Sequence, residues 1–165
     1  MRQVWLKSAA VVAAGLMGSI GWAQTSWTYS EGDDGKSITD GKWVIAVTAY
    51  DSGAGTMTLG SITTESGDGV LDLRDMVVGD VAITGLKFPG EYAWKSAAVT
   101  NFYANNVAGT RMPAMFRENT QLREVELASE TIQEITTNPR PFGGCSKLGK
   151  VVFKCPNLLY WNQNG

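Results

Sequence analysis

The sequence predicts a mainly β fold, in which a short solenoid of parallel strands, joined by turns or short helices, follows an antiparallel β-hairpin cap. Two observations predict this class. A spaced apolar pattern in residues 116–135 recurs in residues 142–161, near the C-terminal end of the sequence. In the N-terminal third, β-branched and aromatic runs alternate with glycine-rich turn signals, which is typical of antiparallel strands.

The repeat consists of seven spaced positions, of which six pairs are apolar on both sides. Its first copy lies within residues 112–137 and its second within residues 138–163. The paired positions are Phe116 and Phe142, Asn119 and Cys145, Leu122 and Leu148, Val125 and Val151, Leu127 and Phe153, Ile132 and Leu158, and Ile135 and Trp161. Self-similarity at a fixed period indicates an architecture built from stacked units.

Each copy contains a short segment with an apolar residue at every second position, Val125 and Leu127 in the first and Val151 and Phe153 in the second. Period-two spacing places these side chains on one face of a strand. One such strand cannot bury its apolar face alone, but stacked copies can share a continuous core. We therefore expect Val125 to pack on Val151 in neighbouring parallel strands.

The pattern from Phe116 to Leu127 and from Phe142 to Phe153 resembles the bacterial leucine-rich repeats of the BspA type, in which a phenylalanine precedes a cysteine and the leucines of a strand. The resemblance covers about a third of the chain. It implies a short leucine-rich-repeat solenoid, an extracellular or cell-surface location, and adhesion or protein binding. The sequence departs from the family in its longer repeat, in Asn119 at the first cysteine position, and in an insertion at residues 137–141.

Residues 1–23 have the features of a bacterial signal peptide. Arg2 and Lys7 precede a short apolar run, and the small residues Gly21 and Ala23 fit a cleavage site. The alternative is a membrane anchor, but the run is shorter than the roughly 20 apolar residues that a spanning helix needs. We expect export through the general secretory route, cleavage after Ala23, and a secreted or cell-surface protein whose formal charge falls from -2 to -4 with the loss of both basic residues.

Residues 24–69 are predicted to form the β-rich cap. Three runs favour strands, at residues 27–29, 42–50 and 56–59, and turn signals rich in Gly and Asp separate them. In the middle run, Trp43, Ile45 and Val47 share one strand face. A cap of this kind would cover the first core layer of a solenoid, which would otherwise face water.

Residues 70–165 are predicted to form the solenoid, with degenerate earlier repeats before the two clear ones. Short strand candidates lie at residues 70–73 and 81–83. A third, Val99 to Ala104, fits the strand template of the first clear repeat. A strand at intervals of roughly 23 to 29 residues is the spacing expected of this architecture.

The composition excludes several kinds of chemistry. The chain contains no histidine, so a Ser-His-Asp or Cys-His hydrolase is excluded and the commonest zinc ligand is missing. The acidic cluster of Glu124, Glu126, Glu130 and Glu134 fits a solvated face better than a glycosidase pair. The glycine-rich segments lack a phosphate-loop ending, and residues 31–35 lack the ligand spacing of an EF-hand. We expect no enzyme activity, no cofactor, no resident metal and no nucleic-acid binding.

The two cysteines are predicted to remain unbridged. A strand of about six residues lies between Cys145 and Cys155, and its ends are roughly 17 to 20 Å apart. Bridged Cα atoms lie about 4.4 to 6.8 Å apart. Cys145 is interpreted as a small buried residue and Cys155 as the more exposed thiol, although an exported chain meets an oxidising compartment.

Recognition is the function that these features favour. The predicted partner is an extracellular protein or glycan, bound through the exposed strand positions Arg123, Glu124 and Glu126 or through an aromatic patch. Four aromatic residues are candidates for the interior or for this patch, namely Tyr92, Trp94, Phe102 and Tyr103.

Two alternatives stay open at this point. Residues 24–110 alone would form a β-sandwich-like carbohydrate-binding or adhesion module, with the repeats as an appendage. At the other end of the chain, either Tyr160 and Trp161 plug the open end of the solenoid, or the chain is a truncated member of a longer repeat array, whose open edge favours self-association.

Overall fold

The structure, a computed structural model, describes residues 25–33, 35–64, 67–135 and 140–161. The export leader predicted at residues 1–23, most of the predicted insertion at 137–141 and the residues after Trp161 lie outside this part. The described residues are mainly β, as predicted, and turns rather than helices connect their strands. The strands are β1 Ser26–Gly32, β2 Gly35–Thr39, β3 Val44–Asp51, β4 Thr56–Thr64, β5 Val70–Leu73, β6 Val77–Val78, β7 Val81–Ala82, β8 Gly85–Lys87, β9 Asn101–Ala104, β10 Glu124–Ala128, β11 Glu134–Ile135, β12 Lys150–Lys154 and β13 Tyr160–Trp161.

A seven-stranded mixed sheet, in the order β7-β6-β1-β2-β3-β4-β8, contains the predicted cap. Strands β1 to β4 form an antiparallel meander, in which Gly32 pairs with Gly35 at the first turn and Gly35 has a φ of 103°, a value open to glycine at no steric cost. Trp43, Ile45 and Val47 are all buried, so the predicted strand face is correct. The sheet is larger than a hairpin because β6, β7 and β8 join it from beyond residue 69.

The strand candidate at residues 81–83 lies in the wrong sheet for a solenoid repeat. Strand β7, Val81–Ala82, pairs antiparallel with β6 at the edge of the seven-stranded sheet. Gly79 and Asp80 separate β6 from β7, and Gly79 has a φ of 60°. A tight turn of this kind reverses the chain locally, which the spacing of apolar residues did not reveal.

The second sheet is parallel and has the order β12-β10-β9-β5. Its register aligns Phe102 with Val125 and Val125 with Val151, as the repeat predicted for the last pair. Leu71 of β5 pairs with Phe102, so the candidates at residues 70–73 and 99–104 are confirmed as members of the same sheet. A smaller parallel pair, β11 with β13, continues the alignment of the two clear repeats.

Both large sheets share one core, and two tryptophans connect them. The indole N–H of Trp43 donates to the carbonyl of Val70 at 2.7 Å, and that of Trp94 donates to the carbonyl of Gly60 at 2.9 Å. Trp94 is 1% exposed and packs edge-to-face on Phe102 and Phe116. The prediction that Trp94 belongs to the binding surface is therefore wrong, because a tryptophan buried in this way contributes packing and one buried hydrogen bond.

The turns that precede β9, β10 and β12 follow one pattern. In each of these turns, the residue three positions after an aromatic residue donates its backbone N–H to that residue's carbonyl, as in Asn119 to Phe116 and Cys145 to Phe142. In the turns before β10 and β12, the side chain at this position also binds the previous turn. The amide of Asn119 donates to the carbonyl of Trp94 at 2.8 Å, and the thiol of Cys145 donates to that of Phe116 at 3.0 Å. Asn119 and Cys145, which occupy the same position of the two repeats, thus make equivalent contacts.

Asn119 is fully buried and uses all of its hydrogen-bonding capacity. Its Nδ2 donates to the carbonyls of Trp94 and Ala97, and its Oδ1 accepts from the backbone N–H groups of Gln121 and Leu122. A buried polar group without a partner costs about 1 to 3 kcal/mol. One side chain therefore satisfies four backbone groups where two turns meet.

Replacing Asn119 by alanine should lower the free energy of unfolding by about 3 kcal/mol, because it leaves two carbonyls and two amides without their partner. Urea denaturation followed by tryptophan fluorescence measures the change. The matched control is Thr120→Ala, at the exposed neighbouring position, which should stay within about 0.5 kcal/mol of the parent protein. Equal stabilities of the two variants would contradict the role assigned to Asn119.

Candidate recognition surface

The outward side chains of the parallel sheet form one continuous surface, here called the outer face. Since side chains alternate along a strand, the buried inward positions fix which residues point outward. In-register pairing then sets the outward residues in two rows across the four strands. From β5 to β12, the rows are Val70, Asn101, Glu124 and Lys150, and Asp72, Tyr103, Glu126 and Val152.

Two ion pairs cross the outer face between its last two strands. Lys150 Nζ lies 2.7 Å from Glu124 Oε1, and Lys154 Nζ lies 2.6 Å from Glu126 Oε1. The hydrogen bond with Glu124 raises the pKa of Lys150. Both lysine side chains are more than half exposed, and exposed ion pairs contribute only about 0 to 1 kcal/mol. A partner could therefore exchange these contacts for its own at small cost.

Tyr103 occupies the centre of the outer face and is held from two sides. The guanidinium of Arg74 stacks over its ring, 4.5 Å from the centroid, and Asn101 Nδ2 donates to its hydroxyl oxygen at 3.2 Å. Asp72 fixes Arg74 through two contacts, of 2.9 and 2.5 Å. An aromatic ring held in this way loses little conformational entropy when a ligand packs on it.

The outer face contains three of the predicted surface residues, Tyr103, Glu124 and Glu126. Arg123 is exposed beside them, at the position before β10. Tyr92 lies apart from β9, in the turn at residues 90–96, where Arg117 stacks over its ring at 4.9 Å. Tyr92 also has a φ of 64°, and burial raises the pKa of its hydroxyl. It is therefore part of a local turn cluster and not of the outer face.

Sequence reasoning missed the basic members of the surface, Arg74, Lys150 and Lys154. The signal for Lys150 was present, because the offset that pairs Val125 with Val151 also aligns Glu124 with Lys150, whereas it aligns Lys154 with Ala128 and so gave no signal for its ion pair. No repeat signal was available for Arg74, which follows β5 and reaches Tyr103 of the next strand.

A polar cleft of about 300 Å³ lies beyond the ends of β9 and β10. Its amide and hydroxyl groups are largely engaged within the protein. Asn106 donates to the carbonyl of Ile83 at 3.0 Å, and Ser129 Oγ donates to that of Val107 at 2.5 Å. Its polar groups therefore connect neighbouring segments of the protein and leave few hydrogen-bonding groups for a ligand.

Several acidic residues of the described part of the chain are engaged by neighbouring side chains. Glu124, Glu126 and Glu134 each form an ion pair with a basic side chain. Hydrogen bonds from Lys36 and Tyr29 lower the pKa of Glu31, at the glycine-rich turn considered for calcium. Residues 25–33, 35–64, 67–135 and 140–161 contain no cluster of three or more metal-ligating side chains.

Comparison of the chain with protein-family models, with curated proteins and with solved structures found no match. The resemblance to BspA-type repeats therefore stays a prediction from the residues. Among the described residues, no helix has the length and apolar character needed to span a membrane.

Both cysteines are free thiols, consistent with the distance argument from the sequence. Cys145 is buried, Cys155 is partly exposed, and burial raises the pKa of both. A raised pKa in the folded state favours the neutral thiol. The associated stabilisation is complete below the unfolded pKa of about 8.5 and is lost as the pH rises through the folded pKa.

Iodoacetamide at pH 8 should alkylate Cys145 at least about 100-fold more slowly in the folded protein than in urea, because only an exposed thiolate reacts. Cys155 should react faster than Cys145, and both rates should rise with pH. Quenched samples analysed by peptide mass spectrometry give the two rates separately. A folded-state rate for Cys145 equal to the rate in urea would contradict its burial.

Proposed function

We propose that this protein is an exported, non-enzymatic leucine-rich-repeat protein that binds an extracellular protein or glycan through the outer face of its parallel sheet. The observation that carries the proposal is the in-register arrangement of the outer face, in which a fixed tyrosine lies between charged side chains of both signs. The export leader predicted from residues 1–23 supports an extracellular partner.

Backbone hydrogen bonds support the solenoid part of the proposal. At the start of successive strands, the carbonyl of Gly69 accepts from Thr100, that of Thr100 accepts from Arg123, and that of Arg123 accepts from Gly149. A second series shows the same relation, since the carbonyl of Thr110 accepts from Gln133 and that of Gln133 accepts from Leu159. Each pass of the chain thus bonds mainly to its neighbours, as in repeat proteins.

The composition of the outer face supports recognition. Tyrosine and arginine are enriched among the residues that contribute most to binding at interfaces, and Tyr103 and Arg74 stack together here. Strand residues also present side chains on a rigid scaffold, which lowers the entropy lost on binding. The ion pairs at Lys150 and Lys154 would set the orientation of a charged partner more than its affinity.

A second candidate function, the carbohydrate-binding module in residues 24–110, is favoured by one observation. A cleft of about 440 Å³ lies along β2 and β3 and is lined by Glu31, Lys36 and Thr63, among others. Against it, β9 belongs to the same sheet as β10, and Trp94 and Phe102 pack on Phe116 across residue 110. A separate module would need its own core, so the shared core favours the outer face.

The proposal predicts that the combined variant Tyr103→Ala, Glu124→Gln and Glu126→Gln loses binding by at least about tenfold, because it removes the central ring and both acidic partners of the lysines. Glycan arrays and pulldowns from the protein's native surroundings identify a ligand for the parent protein, and biolayer interferometry then compares the variants.

The matched control is Tyr29→Ala with Glu31→Gln, which also removes a tyrosine and an ion-paired glutamate but lies on the seven-stranded sheet. This control should bind like the parent protein. Loss of binding in the control with retention in the outer-face variant would transfer the function to residues 24–110.

Deletion of residues 116–141 tests the solenoid directly. After the deletion, Phe142 follows Met115, and β12 could pair with β9 in the register that β10 now occupies. We expect a shorter protein that keeps its β-type circular dichroism and unfolds cooperatively at a lower temperature. A chain that no longer folds would indicate a single indivisible core and would contradict the repeat architecture.

A further inference from the structure

The last pass of the chain presents an apolar surface, here called the end face. Four large hydrophobic side chains are exposed among the described residues, and three of them lie here, Val151 at 40%, Leu159 at 81% and Tyr160 at 53%. Phe142 and Leu158 of the same segment are partly buried and pack against the core. Exposed apolar side chains often mark an interaction site.

The end face is exposed because of its place in the register. Val151 pairs with Val125, which is fully buried, so both residues occupy the inward position of their strands. Strand β12 is the edge of its sheet in the described part of the chain, so no later strand there covers Val151. Val125 is fully buried, whereas Val151 at the equivalent position is 40% exposed. A further strand beside β12 would therefore bury Val151.

The backbone of Val151 is also directed towards this edge. Lys150 donates its N–H to the carbonyl of Arg123, and the carbonyl of Lys154 accepts from Ser129, so both residues face β10. Peptide groups alternate in direction along a strand, which turns those of Val151 away from β10. An added strand could therefore bond to Val151 while its side chains pack on the end face.

The charge of this part of the chain indicates which partner fits. All 16 acidic residues lie between Glu31 and Glu134, whereas the sequence after Asn138 contains four basic residues and no acidic one. Glu124 and Glu126 neutralise Lys150 and Lys154. The remaining two are exposed and form no ion pair within the described residues, although Lys147 hydrogen bonds to the neutral Gln121; they are Arg140 and Lys147.

We propose that the end face binds an extended segment of a partner protein that alternates acidic and apolar residues. Strand β12 already accepts such a segment on its other side, since Glu124, Val125, Glu126 and Leu127 of β10 lie in parallel register with it. A second strand of the same pattern would place its acidic residues beside Lys150 and Lys154 and its apolar residues over Val151. Binding at the end face does not depend on the function proposed for the outer face.

A second copy of this chain is a less suitable occupant. A two-fold contact would bring strand β12 of both copies together, each with the basic residues Lys150 and Lys154. Like charges brought together at an interface oppose association. Self-association through this end is therefore an outcome that would overturn the proposal.

The experiment uses a fluorescent peptide with the sequence of residues 122–129 and the purified protein. Fluorescence anisotropy should show saturable binding that weakens as salt rises, because the contact is partly electrostatic. A peptide carrying Glu124→Lys and Glu126→Lys should bind at least about tenfold more weakly. Equal binding of both peptides, or no binding of the first, would overturn the proposal.

A matched pair of protein variants locates the site. Val151→Asp should weaken peptide binding at least about tenfold, since it places a carboxylate in the apolar contact and beside an acidic ligand. Val70→Asp is the control, because Val70 has the same 40% exposure and lies in β5, at the opposite edge of the same sheet. It should leave binding within about twofold of the parent protein, and thermal unfolding verifies that both variants fold.

Sedimentation equilibrium of the protein without peptide tests the competing occupant. A monomer across the accessible concentration range is the expected result. A dimer that Val151→Asp dissociates and Val70→Asp preserves would assign the end face to a second copy and would refute the proposed partner. Peptide binding that survives Val151→Asp would also refute it, because the peptide would then bind elsewhere.

Discussion

The structure depends on one constraint, which is that buried backbone carbonyls of one turn must find donors in the next. In an antiparallel meander, the next strand in the sequence lies alongside and supplies these donors. In the parallel sheet, the neighbouring strand follows only after a long connection. Asn119 and Cys145 meet this need with side chains that donate to the carbonyls of Trp94 and Phe116. An unpaired buried carbonyl costs about as much as a lost hydrogen bond, so these contacts hold the passes in register.

A fixed register has a direct consequence for the surface. When each strand pairs with the next in the same alignment, inward positions become the core and outward positions become rows. The same geometry that buries Val125 therefore sets Glu124 opposite Lys150 and Glu126 beside Tyr103. One face of the sheet thus provides the core and the other provides the surface proposed for recognition, and a slip by a single position would exchange them.

The two edge strands of the parallel sheet differ in how far their inward residues are buried. At β5, the seven-stranded sheet and the indole of Trp43 cover the edge, and the inward Leu71 is fully buried. At β12, the inward Val151 remains 40% exposed, and the surrounding pass is basic. A sheet edge with lysines on its outward face resists pairing with identical edges, while it remains open to an acidic strand. Within the described residues, the two edges of the parallel sheet therefore differ in how far their inward apolar residue is covered.

By itself, the sequence determined the elements that depend on local pattern. The strands around Val125 and Val151, their mutual register and the buried face of Trp43 follow from apolar spacing, because that spacing is the direct record of which side of a strand is buried. The unbridged cysteines follow from strand length alone. The tertiary structure decided the rest. Trp94 is buried and Tyr92 is apart from the outer face, because long-range packing, which no local pattern encodes, selects among neighbouring aromatic residues. Likewise, the stacking of Arg74 on Tyr103 joins residues of two strands that only the completed sheet makes neighbours.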